Sequence, residues 1–297
     1  MATLRKLFLA LVLTTISAPA IAQSDESEEL KMTALKALMS APPERALPIV
    51  TKVLQSDSSP KLKERALFVL GQIDLPEARA LLVETARSGD KATRMEAIRS
   101  IAIGGNEEAL AGLEEIYSAG DRDIREAVLE AYLIADDADA VYRVAASTED
   151  PDEFESAVET LGAMGATEQL RALRNRAGMA EALIEAYAVA GDVESLAALA
   201  TDGSDPERQA QAIQGLGVAG GDEVGGVLKR IYQETDSAEV REAALEGLLI
   251  ADEDEVVLEL FRASGDPGEK RELLEMLVMM DSDAVWDIID RTLENGE

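Results

Sequence analysis

The sequence predicts an all-α fold, a right-handed α-solenoid of about nine antiparallel helix pairs, and three observations predict it. A short phrase recurs along the chain: RALFVLGQI from Arg65, EAVLEAYLI from Glu126, SAVETLGAM from Ser156, EALIEAYAV from Glu181, QAIQGLGVA from Gln211 and EAALEGLLI from Glu242. One position near the start of each copy gives the markers Ala34, Ala66, Ala97, Ala127, Ala157, Ala182, Ala212, Ala243 and Leu273, separated by 32, 31, 30, 30, 25, 30, 31 and 30 residues. A nearly fixed step of this size signals stacked supersecondary units rather than a closed globular fold. Within each copy the apolar residues follow the helical period, and turn-forming residues separate the periodic stretches.

The first 22 residues read as an export signal. Arg5 and Lys6 form a basic start, Leu7 to Ile16 is apolar apart from Thr14 and Thr15, and Ala20-Ile21-Ala22 supplies a small-x-small site with cleavage expected before Gln23. The apolar run is short for a membrane span, so the mature chain is expected to have no stable membrane anchor and to be periplasmic if the source is a Gram-negative bacterium. Residues 23–29 read as a disordered acidic linker, and residues 30–297 as the repeat array.

Each unit starts with a helix that carries the marker. Counting the marker as zero, position +1 is apolar in every copy, as in Leu67, Ile98, Val158 and Ile213. Position +4 is apolar or small (Leu70, Ile101, Leu161, Leu216), and position +7 is mostly apolar (Ile73, Ile134, Met164, Val189, Ile250, Met280). Position −1 is polar throughout. This is one apolar stripe on a helix. Asp150-Pro151, Asp205-Pro206 and Asp266-Pro267 place an N-cap acceptor before a first-turn proline, and Gly89-Asp90 and Gly120-Asp121 act similarly. Turns at Gly104-Gly105, Asp136-Asp137, Gly165, Gly191-Asp192, Gly220-Gly221 and Asp281 end the marker helices. Second helices are expected over 77–87, 107–118, 167–176, 193–200, 223–233 and 283–293. Tyr132 and Tyr187 stand at +5, where other copies have Gly71, Gly162 and Gly217; they are expected to fill space against a neighbouring unit. Trp286, on a stripe with Val285, Ile288 and Ile289, is expected to be buried.

The helix pairs, the Asp-Pro starts and the first-helix pattern R/E-x-A-L-x-x-L resemble HEAT repeats, and among them the short bacterial HEAT-like type associated with phycobilisome lyases. The resemblance covers roughly residues 30–295 and implies a solenoid fold and a tendency to bind proteins. Deoxyhypusine hydroxylase shares this repeat style and, as a family, holds iron through His-Glu pairs. This chain has no histidine and no cysteine. That excludes a His-ligated zinc or iron site, thiol chemistry and the usual nucleophile–base triads. No cofactor is expected, and no catalysis.

Charge narrows the partners. The chain has 28 basic and 59 acidic residues, net −31. Residues 23–65 balance, so the acid excess falls on residues 66–297. Nucleic acid and anionic membrane surfaces are poor partners for such a surface. An unidentified protein or peptide is expected, with basic ones favoured. The acidic runs Asp136–Asp139, Glu149–Glu153 and Asp252–Glu255 lack the order of an EF-hand loop and lie at helix starts, where carboxylates complement the dipole.

The step from Ala157 to Ala182 is five residues short, and Arg171, Arg174 and Arg176 gather there against the acidic background. They read either as partners for acids on adjacent helices or as a partner-binding spot at an irregular point in the spiral. The sequence therefore points to an exported acidic HEAT-repeat scaffold for protein or peptide binding. A metal-independent lyase-like enzyme and a divalent-cation-responsive protein are the alternatives.

Overall fold

The computed structural model describes residues 19–176, 180–282, 285–286, 288–290 and 293. Most of the expected signal peptide, residues 1–18, lies outside the described residues. Those described are helical, with no strand among them, and no helix is long and apolar enough to cross a membrane. The chain divides into two units, Met1–Gly112 and Leu113–Glu297.

The first unit holds α1 (Pro19–Ala37), a 3-10 turn (Leu38–Ser40), α2 (Pro43–Gln55), α3 (Pro60–Gly71), α4 (Pro76–Ser88), α5 (Lys91–Gly104) and α6 (Glu107–Ala111). The marker-bearing helices α1, α3 and α5 pack side by side, and α2, α4 and α6 form a second layer beside them. The expected linker at 23–29 is not a linker here: α1 runs through it. Nothing from Ile21 to Ala37 breaks a helix, and the Ser59 hydroxyl, the N-cap of α3, donates to Glu28 Oε1 at 2.5 Å.

The second unit holds α7 (Leu113–Ala119), α8 (Arg122–Ile134), α9 (Ala138–Ser147), α10 (Pro151–Ala163), α11 (Thr167–Ala172), α12 (Ala180–Ala190), α13 (Val193–Thr201), α14 (Pro206–Ala219), α15 (Val224–Glu234), α16 (Ala238–Ile250), α17 (Asp254–Ala263) and α18 (Pro267–Met279). Helices α8, α10, α12, α14 and α16 pack each on the next, and α9 with α11 and α13 with α15 and α17 lie in the second layer. Two expected helices are corrected. The stretch 107–118 is divided at Gly112 into α6 and α7; a Cβ at Gly112 would come within 3.1 Å of the Val83 methyls. The stretch 167–176 is helical only as far as Ala172, and 173–175 turn.

Capping follows the sequence closely. Asp90, Asp121, Asp150, Asp205 and Asp266 each accept a backbone N–H in the first turn of the helix they precede, at 2.8–3.3 Å. The reversal after α3 runs through Gln72 (φ −93), but after α5, α8, α10, α12, α14, α16 and α18 the chain passes through a residue of positive φ. Three of these are aspartates, Asp136 (φ 57), Asp252 (φ 57) and Asp281 (φ 52), where other copies carry glycine. The next residue's N–H then returns to the last full turn, as in Asp137 to the Tyr132 carbonyl at 2.9 Å, Asp192 to Tyr187 at 2.9 Å and Glu253 to Leu248 at 3.0 Å. This is the six-to-one bond of the Schellman motif.

Positions zero, +1 and +4 form the core: Ala66, Leu67, Leu70, Ala97, Ile98, Ile101, Ala157, Val158 and Leu161 are all buried. Position +7 does not follow. Ile134 (45% exposed), Val189 (64%) and Ile250 (52%) face solvent, though Ile73 is buried. Their helical phase is right, but they sit in the last turn, at the rim where the chain reverses. Trp286 is likewise exposed (58%) beside buried Val285. Consecutive helical residues point about 100° apart, so burying Val285 turns Trp286 outward.

Where α3 meets α5, close helix approach depends on the absence of a side chain at Gly71. A Cβ on Gly71 would lie 2.7 Å from the Ser100 carbonyl oxygen of α5, a separation only backbone movement relieves. Gly71→Ala is therefore expected to destabilise by about 1–3 kcal/mol, read as a lower midpoint in urea unfolding. An unchanged midpoint would mean that α3 and α5 are not in close contact there.

Candidate functional site

The shortened repeat shapes the second unit's most distinctive site. Helix α11 has six residues, whereas α9 has ten and α13 nine, so α11 is too short to lie along the whole of α13. Beside α13 a cleft of about 360 Å³ opens, with Leu183, Ile184 and Leu199 supplying apolar walls and Arg171, Arg174 and Arg208 around them.

Each of the three arginines singled out from the sequence has a different role. Arg171, at the end of α11, bridges to the start of α13. Its Nε donates to Asp192 Oδ2 at 2.7 Å and its Nη2 to Asp192 Oδ1 at 2.5 Å, and Nη1 lies 3.0 Å from Glu194 Oε2. Asp192 is 2% exposed and is also the N-cap of α13, accepting the Ser195 N–H at 3.2 Å and the Ser195 hydroxyl at 2.7 Å. Burial alone would raise the Asp192 carboxyl. The Arg171 guanidinium and the two Ser195 donors more than offset it and hold the group below the ordinary carboxylate range. The same bond to Asp192 raises Arg171 above its usual value.

Arg176 is committed to structure. It donates through Nη1 to the Ala146 carbonyl at 3.0 Å and through Nη2 to the Thr148 carbonyl, with its guanidinium carbon 5.4 Å from the Phe154 ring centre. The reason lies in a rule that the sequence reading missed. The fourth residue after an N-cap reaches back to the preceding second-layer helix. Arg94 Nε donates to Ala86 O at 3.0 Å, Gln209 Nε2 to Ala200 O at 2.9 Å and Arg241 Nη2 to Thr235 O at 2.9 Å. Arg125, Arg241 and Lys270 lie over the rings of Tyr117, Tyr232 and Phe261. These cations complement the negative ends of the helices they cover. After Asp150 that fourth residue is Phe154, which cannot donate, and Arg176 from the shortened repeat serves the carbonyls instead. The spacing Asp/Ser-x-x-x-Arg/Lys/Gln was the available signal.

Arg174 is exposed at the cleft; its backbone N–H donates to the Arg171 carbonyl at 3.3 Å, but among the described residues its guanidinium has no hydrogen-bond or ion-pair partner. Arg208, on α14, forms an ion pair with Asp205, three residues earlier, at 3.2 Å, and its charge also helps hold the Asp202 carboxyl low. The floor is held by Tyr187, whose hydroxyl donates to the Leu170 carbonyl at 3.3 Å. Tyr132 is buried at the equivalent place in α8, so both tyrosines pack as expected.

Several acids of the first two acidic runs are spent on local structure. Asp137 and Asp150 cap helices, Asp139 accepts from Gln169 at 3.0 Å, and Glu153 meets Arg125 and the Thr148 hydroxyl. Among the described residues no three metal-ligating side chains gather at a point.

Residues 47–133 match the family model described as HEAT repeats. Over that stretch the stacked helix pairs are of the HEAT-repeat kind. Similar solved structures include the complex of CpcE and CpcF of phycocyanin lyase from Nostoc sp. PCC7120, at 20% identity over 80% of this chain and 94% of that chain, with a TM-score of 0.34. Human deoxyhypusine hydroxylase in complex with glycerol is 16% identical over 76% of this chain and 99% of that one, also with a TM-score of 0.34. None of the curated proteins matches the chain.

The Arg171–Asp192 clamp makes two predictions. Arg171→Ala strands a buried carboxylate and is expected to cost about 1–3 kcal/mol at neutral pH, as a lower unfolding midpoint. Because the folded Asp192 sits below the unfolded value of roughly 3.9, its contribution is present above that pH and is lost as pH falls through the folded value. The midpoint gap between the wild type and Asp192→Asn should therefore be widest near neutrality and shrink below about pH 4. A constant gap across that range would contradict the clamp.

Proposed function

We propose that the protein is an exported, periplasmic, acidic HEAT-repeat scaffold that binds a protein or peptide partner and carries out no catalysis. The observation that carries this reading is the cleft beside α13, where an apolar interior meets arginines that the fold does not fully use. Helix pairs stacked in a row offer extended surface, and a break in their regularity is where a partner gains a shaped foothold. The absence of histidine and cysteine from the sequence supports binding over chemistry. Arg5, Lys6, the apolar stretch after them and Ala20-Ile21-Ala22 support export, with cleavage before Gln23.

The charge suggests how a partner is approached. The acid excess on residues 66–297 attracts a basic partner over distance, while the cleft offers a local cationic foothold. Long-range attraction of this kind is screened as ionic strength rises, since the Debye length falls from about 10 Å at 0.1 M salt to about 3 Å at 1 M.

Two measurements test the reading. In a cell that exports it, the protein should appear in the osmotic-shock fraction with an intact mass beginning at Gln23; full-length protein confined to the cytoplasm would refute export. The mature chain, immobilised and exposed to periplasmic extract, should retain a partner at low salt and lose much of it at high salt. Retention unchanged by salt would remove the electrostatic component, and no retained partner would overturn the scaffold reading.

A further inference from the structure

We infer that the cleft beside α13 takes the C-terminal end of an extended peptide, its terminal carboxylate held by Arg174 and Arg208 and its last, bulky apolar side chain seated against Leu183, Ile184 and Leu199. This rests on the scaffold reading above and names the ligand chemistry of the same site.

The first argument is size. A volume of about 360 Å³ falls at the small end of ligand sites, which run from roughly 300 to 1,000 Å³. It holds one anionic head and one bulky apolar group rather than a long chain. A terminal residue carries both on a single Cα, so one residue fills the cleft. An acidic side chain within a peptide would bring chain on both sides of it, and a long acyl chain would leave most of its length in water.

The second argument is charge complementarity. The protein carries net −31, yet three arginines line this cleft. Arg171 is locked by Asp192 and Glu194, which fixes the edge of the site and neutralises that arginine. The Arg174 guanidinium has no hydrogen-bond or ion-pair partner among the described residues. Arg208 has an exposed ion pair three residues away and a longer-range interaction with Asp202; such surface pairs are worth little, so its guanidinium can turn to a carboxylate at small cost. Arginine forks match a carboxylate's two oxygens. Glu194, on the opposite wall, faces Arg171 and is spent there; it also disfavours a ligand with a second negative charge.

The third argument is pre-organisation. Leu183, Ile184 and Tyr187 are 3% exposed and fixed within α12, and α13 is fixed by the Asp192 cap and the Arg171 bridge. The site's walls therefore stand on helices and lose little freedom on binding.

The test uses the mature full-length chain and fluorescein-labelled pentapeptides Gly-Ser-Gly-Ser-X, with X as leucine, isoleucine, phenylalanine or valine, each made with a free C-terminal carboxylate and as the C-terminal amide. Fluorescence anisotropy is expected to saturate for at least one free acid and to show at least tenfold weaker binding of its amide. Arg174→Glu should weaken that peptide tenfold or more. Ala198→Trp, which fills the cleft from an exposed position on α13, should abolish binding; unchanged circular dichroism and melting of both variants would show that the fold is intact. Equal binding of acid and amide, or binding indifferent to Ala198→Trp, would overturn the inference. So would absence of binding by every peptide. Dodecanoate is the second probe: if it binds in an Ala198→Trp-sensitive way while no peptide does, the site takes an acyl anion and the peptide assignment is wrong. If no peptide binds but the periplasmic capture persists in Arg174→Glu, the scaffold reading stands and only this inference fails.

Discussion

A helix pair with one apolar stripe cannot cover that stripe by itself. From Ala66 onward most markers and their +1 and +4 neighbours are buried, and within each of the two units neighbouring first-layer helices pack on one another, which requires the chain to reverse after each helix. After α5, α8, α10, α12, α14, α16 and α18 that reversal goes with one backbone feature, a residue of positive φ just past the helix. Glycine adopts it without penalty, and aspartate tolerates it. Asp136, Asp252 and Asp281 show that the conformation, rather than the residue, is retained from copy to copy. The six-to-one bond that follows places the next residue at the start of the second helix, often as its cap. Asp137 and Asp192 perform both tasks, closing one helix and starting another.

Loss of a few residues from such an array is not absorbed silently. Shortening the unit around α11 removes the helix length that would otherwise cover α13, and two arginines take over interactions that regular units make differently. Arg171 replaces part of the helix-to-helix contact with a charged bridge onto a buried cap. Arg176 covers carbonyls that a cation on the following helix covers elsewhere. Both roles follow from the same change in length, which explains why cations gather at this one point. Arg174 lies on the turn between them, and among the described residues its guanidinium has no hydrogen-bond or ion-pair partner.

Much of this was legible in the sequence. The period, the helix pairs, the aspartate caps and the glycine or aspartate turns could all be read, because each is written in residues close together in the chain and each acts locally. The irregular repeat was legible as a spacing, and its arginines as an anomaly of charge. What could not be read was which arginine does what. Arg171 meets Asp192 across 21 residues, and Arg176 meets Ala146 across 30; no local pattern announces such pairs. The exposure of Ile134, Val189, Ile250 and Trp286 was misjudged for a related reason. Helical phase says which way a side chain points, but burial also needs a neighbour at the same height. Residues 23–29 were misread because acidic composition suggested a linker, whereas the stretch contains no helix breaker and its Glu28 has a partner on α3.

The charge of the chain gains a more specific meaning beside the cleft. Strong net charge of one sign keeps the surfaces of identical molecules apart. It also means that a local cationic site is conspicuous to a ligand only at short range, because from a distance the acids dominate. The proposed ligand, a peptide with a basic body and a free apolar C-terminus, would satisfy both fields: its body would be drawn by the acid-rich surface and its carboxylate by Arg174 and Arg208. A purely acidic peptide would be repelled before reaching the cleft, and a purely basic one would find nothing in it to hold. On the proposed reading, selection would arise from the order in which the two fields act, long-range attraction first and arginine-to-carboxylate recognition second.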